Sequence, residues 1–244
     1  MEEKNGFKNN IESSYSKYEG DITPFSLIDI LLKKPGKLVY EIINNSKTNK
    51  HLFILFIVSF ISMMIFGIVN GLFSGGIQIF FAAVKYPLGL FISAIICLPS
   101  LYIFLSLTGL DLKLRSVIGI FLFSITLISI LLVGMAPVLW IFSQSTEQAT
   151  FMGALNFVFW IISIIFGFNL LIRILKFLSK KEAGFIVVWV IIFVLVTFQM
   201  STTLRPLIGK SDTFITHEKR FFIDHWFGKK SNINKYSRPN KTSY

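Results

Sequence analysis

Two long apolar runs joined by a short polar turn constrain this chain more than anything else in it. The runs are Pro87–Thr108 and Ser116–Phe142, and the turn between them is Gly109-Leu-Asp-Leu-Lys-Leu-Arg115. Crossing the hydrocarbon core of a bilayer takes about 20 helical residues, and each run is that long. A segment that crosses lipid must satisfy its own backbone, so both runs are expected to be α-helices. Lys113 and Arg115 mark the turn as cytoplasmic, because short loops rich in Lys and Arg stay on that side.

Composition carries the same reading to the whole chain. Of 244 residues, 53% are hydrophobic and 15% charged, and the mean hydropathy is +0.67. A soluble domain of this size cannot hide so much apolar surface, whereas lipid solvates it directly. The charge gathers at the two ends of the chain and leaves the middle nearly bare. The formal net charge of +11 therefore flanks apolar spans. Membrane orientation and anionic headgroups account for it better than nucleic acid does, and no nucleic-acid partner is expected. The single cysteine, Cys97, rules out an internal disulfide and sits in an apolar run, where a thiol behaves as a small hydrophobe. The first twenty residues are polar and the first apolar run lacks a small-residue cleavage site, so that run is expected to stay as an anchor rather than be removed as a signal peptide.

The expected architecture is an all-α, polytopic membrane helix bundle of about five transmembrane helices, with amphipathic interfacial helices at both ends. Residues 1–22 are polar and expected to be disordered on the cytoplasmic side. Residues 23–50 form an amphipathic cytoplasmic segment. There Thr23 is a good N-cap and Pro24 suits the first helical position. Phe25, Ile28 and Leu32 follow helical spacing with Leu27 and Leu31 beside them, and Lys33-Lys34-Pro35-Gly36 breaks the helix. Leu38, Val39, Ile42 and Ile43 form the face of a second short helix. The pair either lies on the inner leaflet or packs under the bundle as a cap.

Residues 51–205 hold the five spans: Leu52–Phe73, the two runs of the hairpin, Phe151–Leu175 and Phe185–Leu204. Ile77–Val84 is too short to cross and reads as an interfacial or re-entrant piece, with Lys85 in the loop before Pro87. Pro99 and Pro137 fall inside spans and are expected to kink them. Lys4, Lys8, Lys17, Lys33, Lys34, Lys37, Lys47 and Lys50 precede the first span, and Arg173, Lys176, Lys180 and Lys181 follow the fourth. The loop near Glu147 has neither Lys nor Arg. This alternation puts the amino terminus inside and, with five spans, the tail 206–244 outside, although that tail is basic. Within the tail, Thr216–Phe227 has the spacing of an amphipathic helix, with Phe222 and Trp226 four apart.

Three clusters are candidates for specific contacts. Gly67, Gly71 and Gly75 recur every fourth residue and would let another helix approach closely, either within the chain or across a dimer. Gln199 and Thr202, near the end of the last span, lie close to Arg205 and Pro206, and with Trp226 of the tail they form a candidate contact for lipid phosphate or another subunit. Asn70, Asn156 and Asn169 sit inside spans, as interhelical bonds or as a polar conduit. No acid, lysine or histidine falls at a span centre in this assignment, which counts against ion coupling. His217 and His225 stand eight apart, where two metal ligands on one helical face would stand four apart. No metal, cofactor or catalytic set is expected.

The order of features has a counterpart among known families. An amphipathic segment with a Lys-Pro step spans Phe25–Ile43, Pro87 opens the second span, and Gly109–Arg115 is a Gly-x-x-x-x-x-Arg turn leading straight into an apolar third span. This layout, over about residues 25–205, resembles the bacterial members of the Yip family of Rab-interacting membrane proteins. The resemblance implies a cytoplasmic amino terminus, five spans and an outside tail. Eukaryotic members of that family act in vesicle trafficking. The tail beginning Leu204-Arg205-Pro206-Leu-Ile-Gly209 departs from the family's usual short end.

Two functional readings follow. One is a non-enzymatic membrane scaffold or adaptor that holds a protein partner or a second copy of itself. The other is a transport or channel component for a small or amphipathic solute. The bilayer is the partner common to both.

Overall fold

The computed structural model describes residues 15–16, 18, 23–44, 48–110, 112–146, 148–179 and 184–203. Seven helices run through them: α1 Pro24–Lys33, α2 Pro35–Asn44, α3 Thr48–Ser74, α4 Gln78–Leu107, α5 Leu114–Ser145, α6 Ala149–Ser179 and α7 Gly184–Thr203. No strand occurs among the described residues, so the all-α reading holds. The candidate residues Arg205, Pro206 and Trp226, the tail 206–244 and nearly all of segment 1–22 lie outside the described residues.

Helices α3 to α6 are apolar and long enough to span, and the chain is a multi-pass membrane protein. They contain 27, 30, 32 and 31 residues. At 1.5 Å per residue these measure roughly 40 to 48 Å, longer than the hydrocarbon core, so their ends stand in the headgroup region. Helix α7 has 20 residues, about 30 Å. Consecutive spans run antiparallel. Around the bundle the order is α7, α4, α3, α5, α6: broad seams join α3 to α4 and α5, α5 to α6, and α4 to α7, while α6 and α7 touch lightly. Two ends can be distinguished. One carries α1, α2 and the α4–α5 turn, and is called the cap end below. The far end carries the α3–α4 and α5–α6 turns.

The helix ends obey local chemistry. Thr23 and Ser26 form a reciprocal capping box, in which the Ser26 N–H donates to Thr23 Oγ1 and the Thr23 N–H to Ser26 Oγ, with Pro24 in the first turn. Gly109, with φ +76°, closes α4: its N–H donates to Ser106 O and the Leu110 N–H to Leu105 O, a Schellman pair. Gly75 and Gly76, with φ +69° and +58°, make the turn between α3 and α4 together with Ile77.

That turn corrects the sequence reading of the next segment. Ile77–Val84 is neither a re-entrant nor an interfacial piece, and Pro87 does not open the second span. From Gln78 to Leu107 the chain is one helix, with Pro87 and Pro99 inside it. Two positive-φ glycines reverse the chain in the shortest distance, so no loop is needed and helix begins at once. Pro87 releases only the Ala83 carbonyl, a loss that a helix packed on its neighbours tolerates. Lys85 is therefore a helical residue, not a loop residue.

Helices α1 and α2 pack under the bundle as a cap. Leu27, Ile30, Leu31, Leu38, Val39 and Ile42 are all buried in the core that the spanning helices share. Ile42 presses on Gly119 of α5, where a side chain would collide with it. A similar close approach joins α5 and α6, where Ile128 fills the space a Cβ on Gly167 would need.

Candidate functional site

The interior of the ring of helices divides into two halves. Near the cap end it is closed by aromatic rings. Ile186, Trp189, Phe193 and Thr197 recur at helical spacing on α7 and are buried, while Phe185, Val188, Ile192 and Leu195 of the same helix face outward. Trp189 and Phe193 reach across the ring to Phe121 of α5, with centroids 5.2 and 5.4 Å away in edge-to-face contact. Phe168 of α6 joins them at 6.3 and 5.2 Å. The Trp189 Nε1–H points to Ser100 Oγ at 2.9 Å and Cys97 O at 3.2 Å on α4. One side chain thereby ties α7 to α4, α5 and α6. Three hydroxyls of α5 are satisfied as well. Ser124 donates to Ile120 O and Ser129 to Ile125 O, while Thr126 donates to Leu122 O and lies 3.2 Å from Leu55 O of α3.

Toward the far end the interior is polar. Tyr86 of α4, 4% exposed, crosses the ring: its hydroxyl accepts from Asn156 Nδ2 of α6 at 3.1 Å, and its ring meets Phe66 of α3 edge-on at 5.6 Å. One turn beyond Phe66, Asn70 donates its amide to the Phe66 carbonyl at 3.0 Å. The carbonyl oxygens of Asn70 and Asn156 have no hydrogen-bond partner. Rotating the Asn156 amide does not remove the surplus, since one of its two polar atoms is left over either way. Lys85 is 1% exposed, and its ammonium lies 5.7 Å from the Phe81 ring centre, within cation–π range. An ionisable residue buried in a membrane helix marks a candidate functional site. The assortment presents two unpartnered amide oxygens and holds one buried amine. Among the described residues, no three His, Cys, Asp or Glu side chains come together.

The residues expected from sequence part company here. Gly67 and Gly71 face α4 within the same chain. A Cβ on Gly67 would stand 2.6 Å from the Ala82 carbonyl oxygen, and one on Gly71 would stand 2.6 Å from the Ile79 Cα. Both positions therefore serve intramolecular packing rather than an open dimer face. Gly75 does not share that face. It follows the last residue of α3, and its N–H donates to Gly71 O at 3.0 Å in a left-handed C-cap, with open space beyond it. Gln199 is half-buried near the end of α7, and Thr202 falls in the last turn of that helix. Asn169 is exposed on the outer surface of α6, so it lines no interior path.

Lys85, Tyr86 and Trp189 were missed as a set. Trp189 left no directional signal, because the outward stripe 185, 188, 192, 195 is at least as apolar as the buried stripe 186, 189, 193, 197. The signal for Lys85 was the unbroken apolar run on both sides of Lys85-Tyr86, hidden by treating Pro87 as a boundary.

At the cap end the surface is basic. Lys33, Lys34, Lys50, Lys113, Arg115 and Lys176 are exposed, as are Phe25 and Leu32. Asp29 pairs with Lys33 one turn away, and Glu41 is buried, accepting from the Tyr18 N–H at 3.1 Å. Searches of protein-family models, of curated proteins and of solved structures each return no match to the chain.

Proposed function

We propose that this chain is a non-enzymatic integral membrane scaffold or adaptor that holds a protein partner, or a second copy of itself, at the membrane. In this reading it has five spans with α7 as the fifth. It sits in the plasma (inner) membrane of a bacterial cell with its amino terminus cytoplasmic and its tail outside, in a Yip-like layout. The observation that carries the proposal is the cap. Helices α1 and α2 bury six aliphatic side chains against the bundle and so hold a fixed outer surface bearing Phe25, Leu32 and lysines. A rigid, basic and partly apolar platform on a spanning bundle suits attachment better than turnover. The aromatic closure around Trp189 also blocks the ring interior near the cap end, which a simple pore would leave open.

The test is co-purification from native membranes after cross-linking. A discrete partner or dimer band should be lost when Gly119→Leu displaces Ile42 and loosens the cap. A chain that emerges alone under every cross-linker length would overturn the reading.

The buried Lys85 and the Tyr86–Asn156 link favour a second reading, a transport or channel component for a small or amphipathic solute. It predicts flux in reconstituted liposomes that falls on Asn156→Leu. Liposomes that hold their solute equally well with and without the protein would remove it.

A further inference from the structure

Part of the chain ahead of α1 is seated on the outward side of α2. Lys37, Tyr40, Glu41 and Asn44 recur at helical spacing there, opposite Leu38, Val39 and Ile42, which are buried in the core. Tyr15 enters a notch between this stripe and the last turn of α6. Its ring meets Tyr40 and Phe177 edge-on, each with centroids 5.2 Å apart, and its hydroxyl accepts from Asn44 Nδ2 at 3.3 Å. Three residues on, the Tyr18 N–H donates to Glu41 Oε1 at 3.1 Å, and the Lys37 ammonium stands 6.0 Å from the Tyr18 ring centre. Both tyrosines pack half-buried against the core, while Ser16 between them is exposed. The cap helices pack on α3 and α5, and Tyr15 carries their contact on to α6.

None of these contacts requires the segment to be covalently joined to α1. Glu41 is 3% exposed, and a buried carboxylate must be given hydrogen-bond donors. The donor it takes from the segment is a backbone N–H, which any peptide owns. Selectivity then falls to two aromatic side chains three residues apart, one of them in the notch beside Phe177. We propose that the outward stripe of α2 and Phe177 form a peptide-binding groove that residues 15–18 occupy in cis. Its ligand class is an extended segment with aromatic side chains at the first and fourth positions. Only residues 19–22 separate Tyr18 from Thr23. A short tether of this kind holds the chain's own segment near the groove at an effective concentration on the order of millimolar. A competing segment therefore enters only by displacing it. The proposal stands apart from the scaffold reading, because it is read with purified chain and synthetic peptide and needs no cellular partner.

The test uses the full chain in detergent micelles and a fluorescent peptide of residues 12–19 carrying Lys17→Gln. Tyr15→Ser/Tyr18→Ser vacates the groove and leaves the aliphatic side of the cap untouched. That variant should bind the peptide about tenfold more tightly than the wild type, whose groove is filled. Binding should vanish when the peptide also carries Tyr15→Ser/Tyr18→Ser, and should weaken several-fold when Phe177→Ala is added to the vacated chain. Equal affinity for the wild type and the vacated chain, or no binding to the vacated chain, overturns the proposal. A second measurement needs only the wild type. Trypsin should cut slowly after Lys17, and several-fold faster once excess peptide has displaced the segment. A cleavage rate at Lys17 that saturating peptide leaves unchanged would equally overturn it.

Discussion

The two halves of the ring interior are built on opposite terms. Around Trp189 large rings fill the centre of the ring of helices, and Trp189 Nε1 and the hydroxyls of Ser124 and Thr126 all have partners. Around Gly67 and Gly71 the helices touch backbone to backbone, and the polar groups alongside are left short: Asn70 and Asn156 each keep an oxygen without a donor. Lipid tails are as apolar as leucine, so association inside a membrane rests on packing and hydrogen bonds rather than on escape from water. The aromatic half joins its helices by ring packing and by the bonds of Trp189 and the α5 hydroxyls. The far half uses close packing and holds hydrogen-bonding capacity in reserve, and a half-satisfied polar network is where a guest or a water is most strongly favoured.

This contrast can be broken most severely at its tightest point. Gly67→Leu puts a branched side chain where even a Cβ would meet the Ala82 carbonyl oxygen at 2.6 Å. Backbone cannot rotate away as a side chain can. The cost is expected above the 1–3 kcal/mol typical of overpacking, about 4 kcal/mol, with the α3–α4 hairpin splayed. Thermal unfolding in detergent should show the largest loss of any single change here. A fall of less than 1 °C would mean that the seam is not close.

The aromatic half should yield next. Trp189→Ala leaves a cavity between four helices and is expected to cost roughly 3 kcal/mol, the lower end for losing such a ring in a packed core. Trp189→Phe keeps the ring contacts and loses the bond to Ser100, for about 0.6 kcal/mol, the mean for interhelical bonds in a membrane protein. The ratio of the two losses sharpens the comparison. If both variants lose equally, the indole N–H rather than the ring closes the bundle.

Tyr86→Phe probes the polar half with a smaller effect. It removes the acceptor of the Asn156 amide and leaves a second atom of that side chain unpartnered, at about 1 kcal/mol. The companion Asn156→Leu should rescue part of that loss in the double variant, because an apolar pair leaves nothing unsatisfied. Additive losses would show that the two side chains do not meet. Smallest of all, Asn169→Leu on the outer face should change stability by less than about 0.5 kcal/mol and leave any flux untouched. A solute flux that dropped in this variant would relocate the conduit to the outside of α6.

The reading by chemistry near the chain succeeded where a few adjacent residues decide the outcome. Thr23-Pro24 capped α1, Gly109 ended α4, and the ends of every expected span except the second came within a few residues of the observed helix ends. The reading failed where two distant segments share one decision. Gly75 follows Gly67 and Gly71 at the same spacing, yet it caps a helix while they pack one, because α3 ends at Ser74. Pro87 read as a boundary by its local cost, but neighbours on the buried face absorb that cost. Lys85 then moved from a loop to the interior with it.

The sequence by itself determined that this protein crosses the membrane repeatedly as antiparallel helices, since apolar length, turn glycines and capping residues act within one turn of the chain. Which face of each helix looks inward was decided by the tertiary structure alone. A spanning helix that meets lipid on one side and protein on the other is apolar all round, so hydrophobicity carries no direction. Contact supplied the direction: Ile42 against Gly119, Gly67 under Ala82, Trp189 reaching Ser100, and Tyr86 reaching Asn156.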